Sequence, residues 1–410
     1  MNVDSELLTA ELDMLASFSD TPAPAVSRIV FSESDLAARH WFKGLCAAAG
    51  LVVREDAVGN TFARWVGSEP SIAVIGTGSH IDAIPHSGKY DGTVGVLGGL
   101  EAIRTLQRSG FKPRRSIELL MFTSEEPTRF GIGCLGSRLL CGGLDAKADE
   151  HFKDKQGQTL LQVRTQAGFA GLLDKVRLSK SYYDAFVEIH IEQGPLLERD
   201  GIPIGVVTAI AAPASSRITI EGEGGHAGAV LMPTRRDAFL AACEIALAIE
   251  SAAKSSGSVD TVGTVGVCDV FPGVVNGIPS RVRIDTDVRD TDLTRRDRAL
   301  KQIEEACREV AARRRVVIQS ETINVDEPCV CEPRIVDALR AACRSLSLPF
   351  QDMVSRAYHD SLFMSRIAPT AMLFIPCRGG VSHRPDEYAS PEAVATGVRV
   401  LAETLKTLAS

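Results

Sequence analysis

Residues 71–82 read Ser71-Ile72-Ala73-Val74-Ile75-Gly76-Thr77-Gly78-Ser79-His80-Ile81-Asp82. The run over 71–78 lacks a polar–apolar alternation, so it predicts a strand covered on both faces. It leads directly to His80, and Asp82, two residues further on, points the same way along extended chain. Working outward, the pattern recurs. Leu36, Ala37, His40, Trp41 and Leu45 keep a helical period over 33–49, and short strands are expected near 51–54 and 60–66. A turn containing Gly88 leads to a helix at about 92–109, and 116–123 is the next buried strand. Residues 142–180 are polar and are expected to form a surface excursion, after which strand 185–189 delivers His190. This succession predicts an α/β fold with a mostly parallel sheet covered by helices.

From about residue 211 the order changes to strand 215–222, helix 234–253, strands 261–270 and 281–289, helix 292–312 and strand 314–323. That β-α-β-β-α-β sequence is ferredoxin-like. The alternation resumes with helices 332–346 and 359–366, strand 370–376 and helix 391–408. The chain is therefore expected to form a catalytic domain in two parts, 1–210 and 325–410, interrupted by an inserted α+β domain over 211–324. The bland alternative is one long α/β domain.

The composition narrows the function. The 410 residues carry 45 Lys+Arg against 52 Asp+Glu, a formal charge of −7. That balance argues against nucleic acid or an anionic membrane as the partner. No apolar run approaches the roughly 18 residues of a membrane span. Met1–Glu6 shows no signal peptide, so a cytoplasmic location is expected. The ten cysteines form no C-x-x-C pair and read as reduced core thiols, Cys243 in its apolar helix being an example.

The chemistry gathers where strands end. His80, Asp91, Glu125-Glu126, His190 and His383 all follow expected strands, and open parallel sheets bind ligands outside the carboxyl ends of their strands. Two histidines and a bridging carboxylate, with a further carboxylate and histidine, would hold two divalent ions roughly 3.5–4 Å apart. Asp82 is placed to accept the second N–H of the His80 imidazole. Taken singly, each residue has a plainer explanation: a surface histidine, or a solvated Glu-Glu pair at a helix start. Their joint position at strand ends is the argument for a metal site.

Seven local motifs add a resemblance. Gly78–Asp82, Tyr90-Asp91-Gly92, Ser124-Glu125-Glu126, His190-Ile191-Glu192-Gln193-Gly194-Pro195, Gly225-His226-Ala227-Gly228, Asn276–Ser280 and Ser382-His383 resemble, in order, motifs of the dinuclear M20 metallohydrolases. They match the amidohydrolase branch acting on N-carbamoyl groups and ureides. Phe122–Gly131, His226–Pro233 and Ser355–Met364 are most similar to ureidoglycolate amidohydrolases of the plant type. Val230-Leu231-Met232-Pro233 and Arg356-Ala357-Tyr358 depart from the allantoate and N-carbamoyl-amino-acid relatives.

The resemblance implies roles. His80 and His190 would hold one metal, Glu126 and His383 the other, with Asp91 bridging. Manganese is the implied ion, and zinc, cobalt or nickel are alternatives. Glu125 would be the general base, with Asp82 and His226 as further catalytic residues. Arg289 would bind the carboxylate of a small ureide through its planar fork, Asn276 would donate an amide, and His226 would stabilise an oxyanion. Gln193, Tyr358 and His359 are further pocket candidates. For Arg289 the plain alternative is a surface ion pair within Asp287-Val288-Arg289-Asp290. The inserted domain would act as a lid and pair two subunits as a homodimer. The expected reaction is hydrolysis of (S)-ureidoglycolate in ureide nitrogen catabolism. The rivals are allantoate or N-carbamoyl-amino-acid hydrolysis, peptide cleavage, and a catalytically dead scaffold. A plant-type targeting extension, if removed, would instead imply the endoplasmic reticulum.

Overall fold

The structure is a computed structural model that describes residues 2–410. Its chain divides into two units. One holds the chain up to Thr208 together with Cys331–Met353 and His359–Ser410; the other holds Ala209–Val330 and Val354–Tyr358.

The larger unit is built on four parallel strands in the order Thr370–Ile375, Tyr183–Ile191, Val74–His80 and Ile117–Phe122. Antiparallel strands extend the sheet, Thr61–Trp65 and Val52–Glu55 on one side and Ile204–Ile210 on the other. Val74–His80, Ile117–Phe122 and Thr370–Ile375 are buried at every position, as two-sided cover requires. Helices Thr93–Arg108 and Pro391–Ala409 pack on this sheet and on each other. The first comes unusually close: a Cβ at Gly95 would lie 2.4 Å from the Ser79 Cβ. Register then fixes the site. His80 lies opposite Phe122 and His190 opposite Phe374, so these strands finish at one edge.

In the smaller unit, Val262–Phe271, Arg281–Asp290, Ala212–Glu221 and Val317–Val325 form an antiparallel sheet in that order. Arg281–Asp290 alternates between buried and partly exposed residues almost throughout, the period expected of a sheet with one covered face. Helices Ala238–Lys254 and Leu293–Arg314 cover it, burying Ile218, Ile220, Ile245, Ile249, Val282, Ile284 and Ile303 in one core. Truncating Ile245 to alanine would cost about 2–5 kcal/mol.

Several expectations need correction. Residues 142–180 are no mere surface excursion. They contain helices Ala148–His151 and Leu160–Gln166 and bury Leu160, Val163, Phe169, Leu173 and Val176. Arg164 is buried with them, held by Asp149 at 2.7 Å and by the Ala57 and Gly171 carbonyls, so polar composition concealed a packed segment. The strand expected over 71–78 begins at Val74 and takes in His80 as its last residue. Residues 354–358 belong with the smaller unit, because Arg356 pairs with Asp260 at 2.5 Å and Ala211 N donates to Ser355 O at 2.8 Å. Cys46, Cys134, Cys141, Cys343 and Cys377 are buried thiols as expected, but Cys268 is exposed on an edge strand and Cys243 and Cys307 are half-buried. Among the described residues no helix is long and apolar enough to cross a membrane.

Candidate active site

Asp91 is the centre of the cluster. Its Oδ1 lies 3.2 Å from His190 Nε2 and 3.6 Å from His80 Nε2; its Oδ2 lies 3.2 Å from His383 Nε2. His383 Nε2 is also 3.2 Å from Glu126 Oε1. Two donor sets result, His80–Asp91–His190 and Asp91–Glu126–His383, sharing one carboxylate. All but the exposed His383 are buried.

The backbone makes this possible. Gly92, immediately after Asp91, takes φ +65°, and a Cβ there would fall 2.4 Å from His80 Nε2. Ser124, Gln193 and His383 also take positive φ, between 55° and 59°. Such sparsely populated conformations persist where surrounding structure enforces them, often at functional sites.

Hydrogen bonding tests whether cations fit. His80 Nδ1 lies 3.0 Å from the Asp82 carbonyl and His190 Nδ1 lies 2.9 Å from the Ile191 carbonyl. A carbonyl can only accept, so each Nδ1 carries the proton and each Nε2 presents a lone pair. Gly92 N donates to His190 Nε2 at 3.0 Å, which agrees. Both lone pairs therefore face Asp91 Oδ1, itself an acceptor, and a cation resolves that opposition. The donor set, imidazole nitrogen with carboxylate oxygen, suits divalent transition metals. The residues fit.

The electrostatics are those of a dense buried charge cluster. Burial works against ionised Asp91, but the imidazoles of His190, His383 and His80 gathered around it outweigh that and hold the carboxyl well below its usual range. Hydrogen bonds to Asp91 and Glu126 push His383 up to about 11. Burial raises Glu125 well above the ordinary carboxylate range; His80 opposes the shift, and Glu126, Asp360 and Asp91 reinforce it.

Asp82 has a task beyond the one expected. The second nitrogen of His80 meets the Asp82 backbone carbonyl, while the Asp82 carboxylate accepts Glu125 N at 3.2 Å and Glu126 N at 3.0 Å. It anchors the Glu-Glu turn, and its Oδ1 also lies 3.6 Å from His80 Nδ1. The chain bends at Ser124, which brings both amides to one carboxylate. Gln193, expected in the substrate pocket, donates from Nε2 to Asp91 Oδ2 at 2.7 Å. His359 is buried, its ring centroid 4.5 Å from that of His190.

Three residues escaped the sequence reading. Glu387 accepts Tyr90 N and Asp91 N at 2.8 and 3.1 Å, and Ser382 Oγ lies 2.7 Å from Asp91 Oδ2 and 2.9 Å from Glu387 Oε2. Cys134 N donates to Glu125 O at 2.8 Å, and its thiol donates to Glu125 Oε1 at 3.5 Å. Ser382 adjoins a candidate ligand in the sequence, whereas neither Glu387 nor Cys134 sits in a recognisable spacing.

In the smaller unit, His226 and Asn276 come together. Gly225–His226 pairs with Gly277–Ile278, and Ala227 N donates to Asn276 O at 2.9 Å. Both side chains belong to exposed residues. Gly228 N donates to His226 Nδ1 at 3.1 Å, which leaves the imidazole proton on Nε2. Arg289 does form the local ion pair, its Nε 2.7 Å from Asp287 Oδ1, and its guanidinium lies 5.3 Å from the Tyr358 ring centroid.

The comparisons with known proteins agree with this geometry. The model of peptidase family M20/M25/M40 matches residues 76–407. A protein of Oryza sativa subsp. japonica named ureidoglycolate hydrolase is 53% identical over 405 residues, 98% of this chain and 84% of that protein. An N-carbamoyl-L-amino acid amidohydrolase of Geobacillus stearothermophilus is 37% identical, covering 99% of both. The crystal structure of AtUAH in complex with glyoxylate superposes with a TM-score of 0.92 at 51% identity, covering 100% of this chain and 98% of that one. A shared carboxylate between two imidazole-bearing donor sets, inside a chain matched over most of its length, makes this protein a member of peptidase family M20/M25/M40.

Proposed function

We propose that this protein hydrolyses (S)-ureidoglycolate to glyoxylate, two ammonia and carbon dioxide. The observation that carries the reading is the pair of donor sets sharing Asp91 with Glu125 beside them, its Oε2 3.6 Å from His80 Nε2. The direction comes from relatives named ureidoglycolate hydrolase and from one solved with glyoxylate.

His80 and His190 would hold one divalent ion, Glu126 and His383 a second, and Asp91 both, with manganese the expected metal. Bound there, the two ions supply Lewis acidity, lowering the pKa of water and polarising the ureido carbonyl. The residues do the rest. Glu125 takes the proton of the attacking water and returns it to the departing nitrogen. The C–N bond breaks with release of ammonia, the carbamate loses carbon dioxide, and hydroxyglycine falls apart to glyoxylate and the second ammonia. Asp82 and Cys134 hold Glu125 in place. Arg289 would take the substrate carboxylate and Asn276 would offer an amide donor, with Tyr358, Gln193 and His359 as further candidates for substrate contact.

His226 presents Nε2–H for a developing oxyanion, and we assign it to the site of a partner subunit. An edge strand, Val262–Phe271, and the exposed side chains of Phe271, Val274 and Val275 at and after its end support that reading, since exposed apolar residues mark interfaces where they cluster. Inactive His226→Ala and Glu125→Ala subunits refolded together should recover about a quarter of wild-type activity, since half the dimers are mixed with one good site of two. No recovery in verified mixed dimers would return His226 to its own subunit.

Allantoate or N-carbamoyl-amino-acid hydrolysis is the second reading, favoured by the 37% identical amidohydrolase. The deciding experiment incubates metal-loaded protein with ureidoglycolate, allantoate and N-carbamoyl-amino acids and assays ammonia and glyoxylate. Glyoxylate from ureidoglycolate, with little ammonia from the others, supports the first reading; the reverse selects the second.

A further inference from the structure

Arg289 shares a cleft with a second arginine. Val262, Thr264, Asp287, Arg289, Arg356 and Ala357 line it. Two guanidinium groups in one cleft repel unless each is neutralised, and each has its own carboxylate. Asp287 holds Arg289 through Nε at 2.7 Å and Nη2 at 3.4 Å. Asp260 holds Arg356 through Nη2 at 2.5 Å.

The two pairs do different things. Asp287 is two residues from Arg289 on the same strand, so that pair only orients a side chain. Arg356 and Asp260 are 96 residues apart, so theirs joins two separate pieces of chain. Arg356 lies in Val354–Tyr358, which packs with the smaller unit although its flanking residues belong to the larger one. The Ala211 N–Ser355 O hydrogen bond fixes the start of that segment, and Ser355 Oγ donating to Ala357 O at 2.7 Å stiffens its middle. Its last residue is Tyr358, whose ring meets the Arg289 guanidinium at 5.3 Å. A cation over an aromatic face is held directionally, so wherever the segment sets Tyr358, the guanidinium orientation follows. At side-chain exposures of 36% and 21% the Arg356–Asp260 pair is partly shielded from water.

We infer that the Arg356–Asp260 ion pair is a positioning device, fastening residues 354–358 so that Tyr358 presets the Arg289 fork. The inference rests on Arg289 taking the substrate carboxylate. Neither Arg356 nor Asp260 need touch the substrate; they act through Tyr358.

The test uses the metal-loaded enzyme and ureidoglycolate. Arg356→Gln and Asp260→Asn should each raise KM roughly fivefold, the upper range for a partly exposed ion pair, with kcat held within about twofold and with faster hydrogen exchange over 354–358. Arg356→Lys should keep most of the wild-type KM. The exchanged pair, Arg356→Asp with Asp260→Arg, should bring KM and exchange back towards wild type, the coupling expected of groups in contact. Unchanged KM in the single variants overturns the inference, as does an exchanged pair that is folded but shows no recovery. Arg289→Gln is the separating control. If it leaves KM unchanged, the carboxylate assignment fails, and hydrogen exchange alone then decides whether the ion pair orders the segment.

Discussion

The two units hold their candidate site residues in opposite ways. In the larger one, His80, Asp91, Glu126 and His190 are buried, and each lies within 3.6 Å of another candidate ligand. In the smaller one, His226 and Asn276 are exposed, and Arg289 is satisfied by a neighbour two residues away. A buried charge is costly without a partner, so the first cluster declares its purpose through its own geometry. Exposed groups that are already satisfied cost nothing and declare nothing. The candidate reacting machinery can therefore be read within one unit, whereas the residues proposed to choose the substrate carry no such geometric mark.

The largest effect belongs at the machinery. Glu125→Gln keeps the shape, the backbone anchor from Asp82 and an oxygen for the Cys134 thiol, yet cannot accept the proton. Turnover should fall at least about a hundredfold, the lower range for general acid–base catalysis, with metal content unchanged. Glu126→Gln, by contrast, should lose metal as well, measured by elemental analysis. Near-normal turnover in fully loaded Glu125→Gln would remove the contrast between the two glutamates.

The next effect is in the smaller unit. Arg289→Lys retains the charge but gives up the fork and the planar face against Tyr358. A loss of roughly tenfold to a hundredfold in kcat/KM, the worth of one charge-assisted hydrogen bond, is expected. An uncharged ureide lacking the carboxylate should be a poor substrate for both enzymes and little affected by the change. Equal losses on both would make Arg289 a structural residue.

How far the sequence carried differs between the same two regions. The four parallel strands are legible because continuous apolar runs have one economical use, and the five candidate ligands are legible because each lies at or beyond the end of such a run. What escaped were partners set by chain bends. Extended chain brings Asp82 within 3.6 Å of the His80 imidazole, but the turn at Ser124, which brings two amides to its carboxylate, has no sequence signature. Glu387 stands four residues past His383 in a loop whose path no period describes. The 142–180 segment failed for another reason: its charges pair internally, as Arg164 does with Asp149, and average composition cannot see pairing. In the smaller unit the β-α-β-β-α-β order was plain from alternating strands, yet the attachment of 354–358 depends on an ion pair across 96 residues.

Asp82 gives a smaller, structural effect. Asp82→Asn leaves one acceptor for two buried amides and turns an N–H towards the other. The loss should be roughly 1–3 kcal/mol, the cost of an unsatisfied buried donor, seen as a lower midpoint in urea, with turnover reduced roughly tenfold. A larger loss of turnover than Glu125→Gln shows would instead give Asp82 a direct part in the chemistry.

The smallest effect probes the smaller unit's fold alone. Glu244, on helix Ala238–Lys254, ties to Arg313 at 2.5 Å and Arg314 at 2.6 Å on helix Leu293–Arg314. The hydrogen bond from Arg314 lowers its carboxyl to about 2, with burial opposing and Arg313 assisting. The folded pKa lies below the ordinary 4.5, so the native state binds fewer protons there than the unfolded chain. Its stabilisation is complete above about 4.5 and is lost as pH falls towards 2. Because the side chain is 31% exposed, water screens the pair, and Glu244→Gln should cost less than about 1 kcal/mol at neutral pH. The difference between wild type and variant in urea melts should shrink steadily from pH 5 downward. A difference independent of pH would mean that Glu244 contributes by packing between the helices and not by charge.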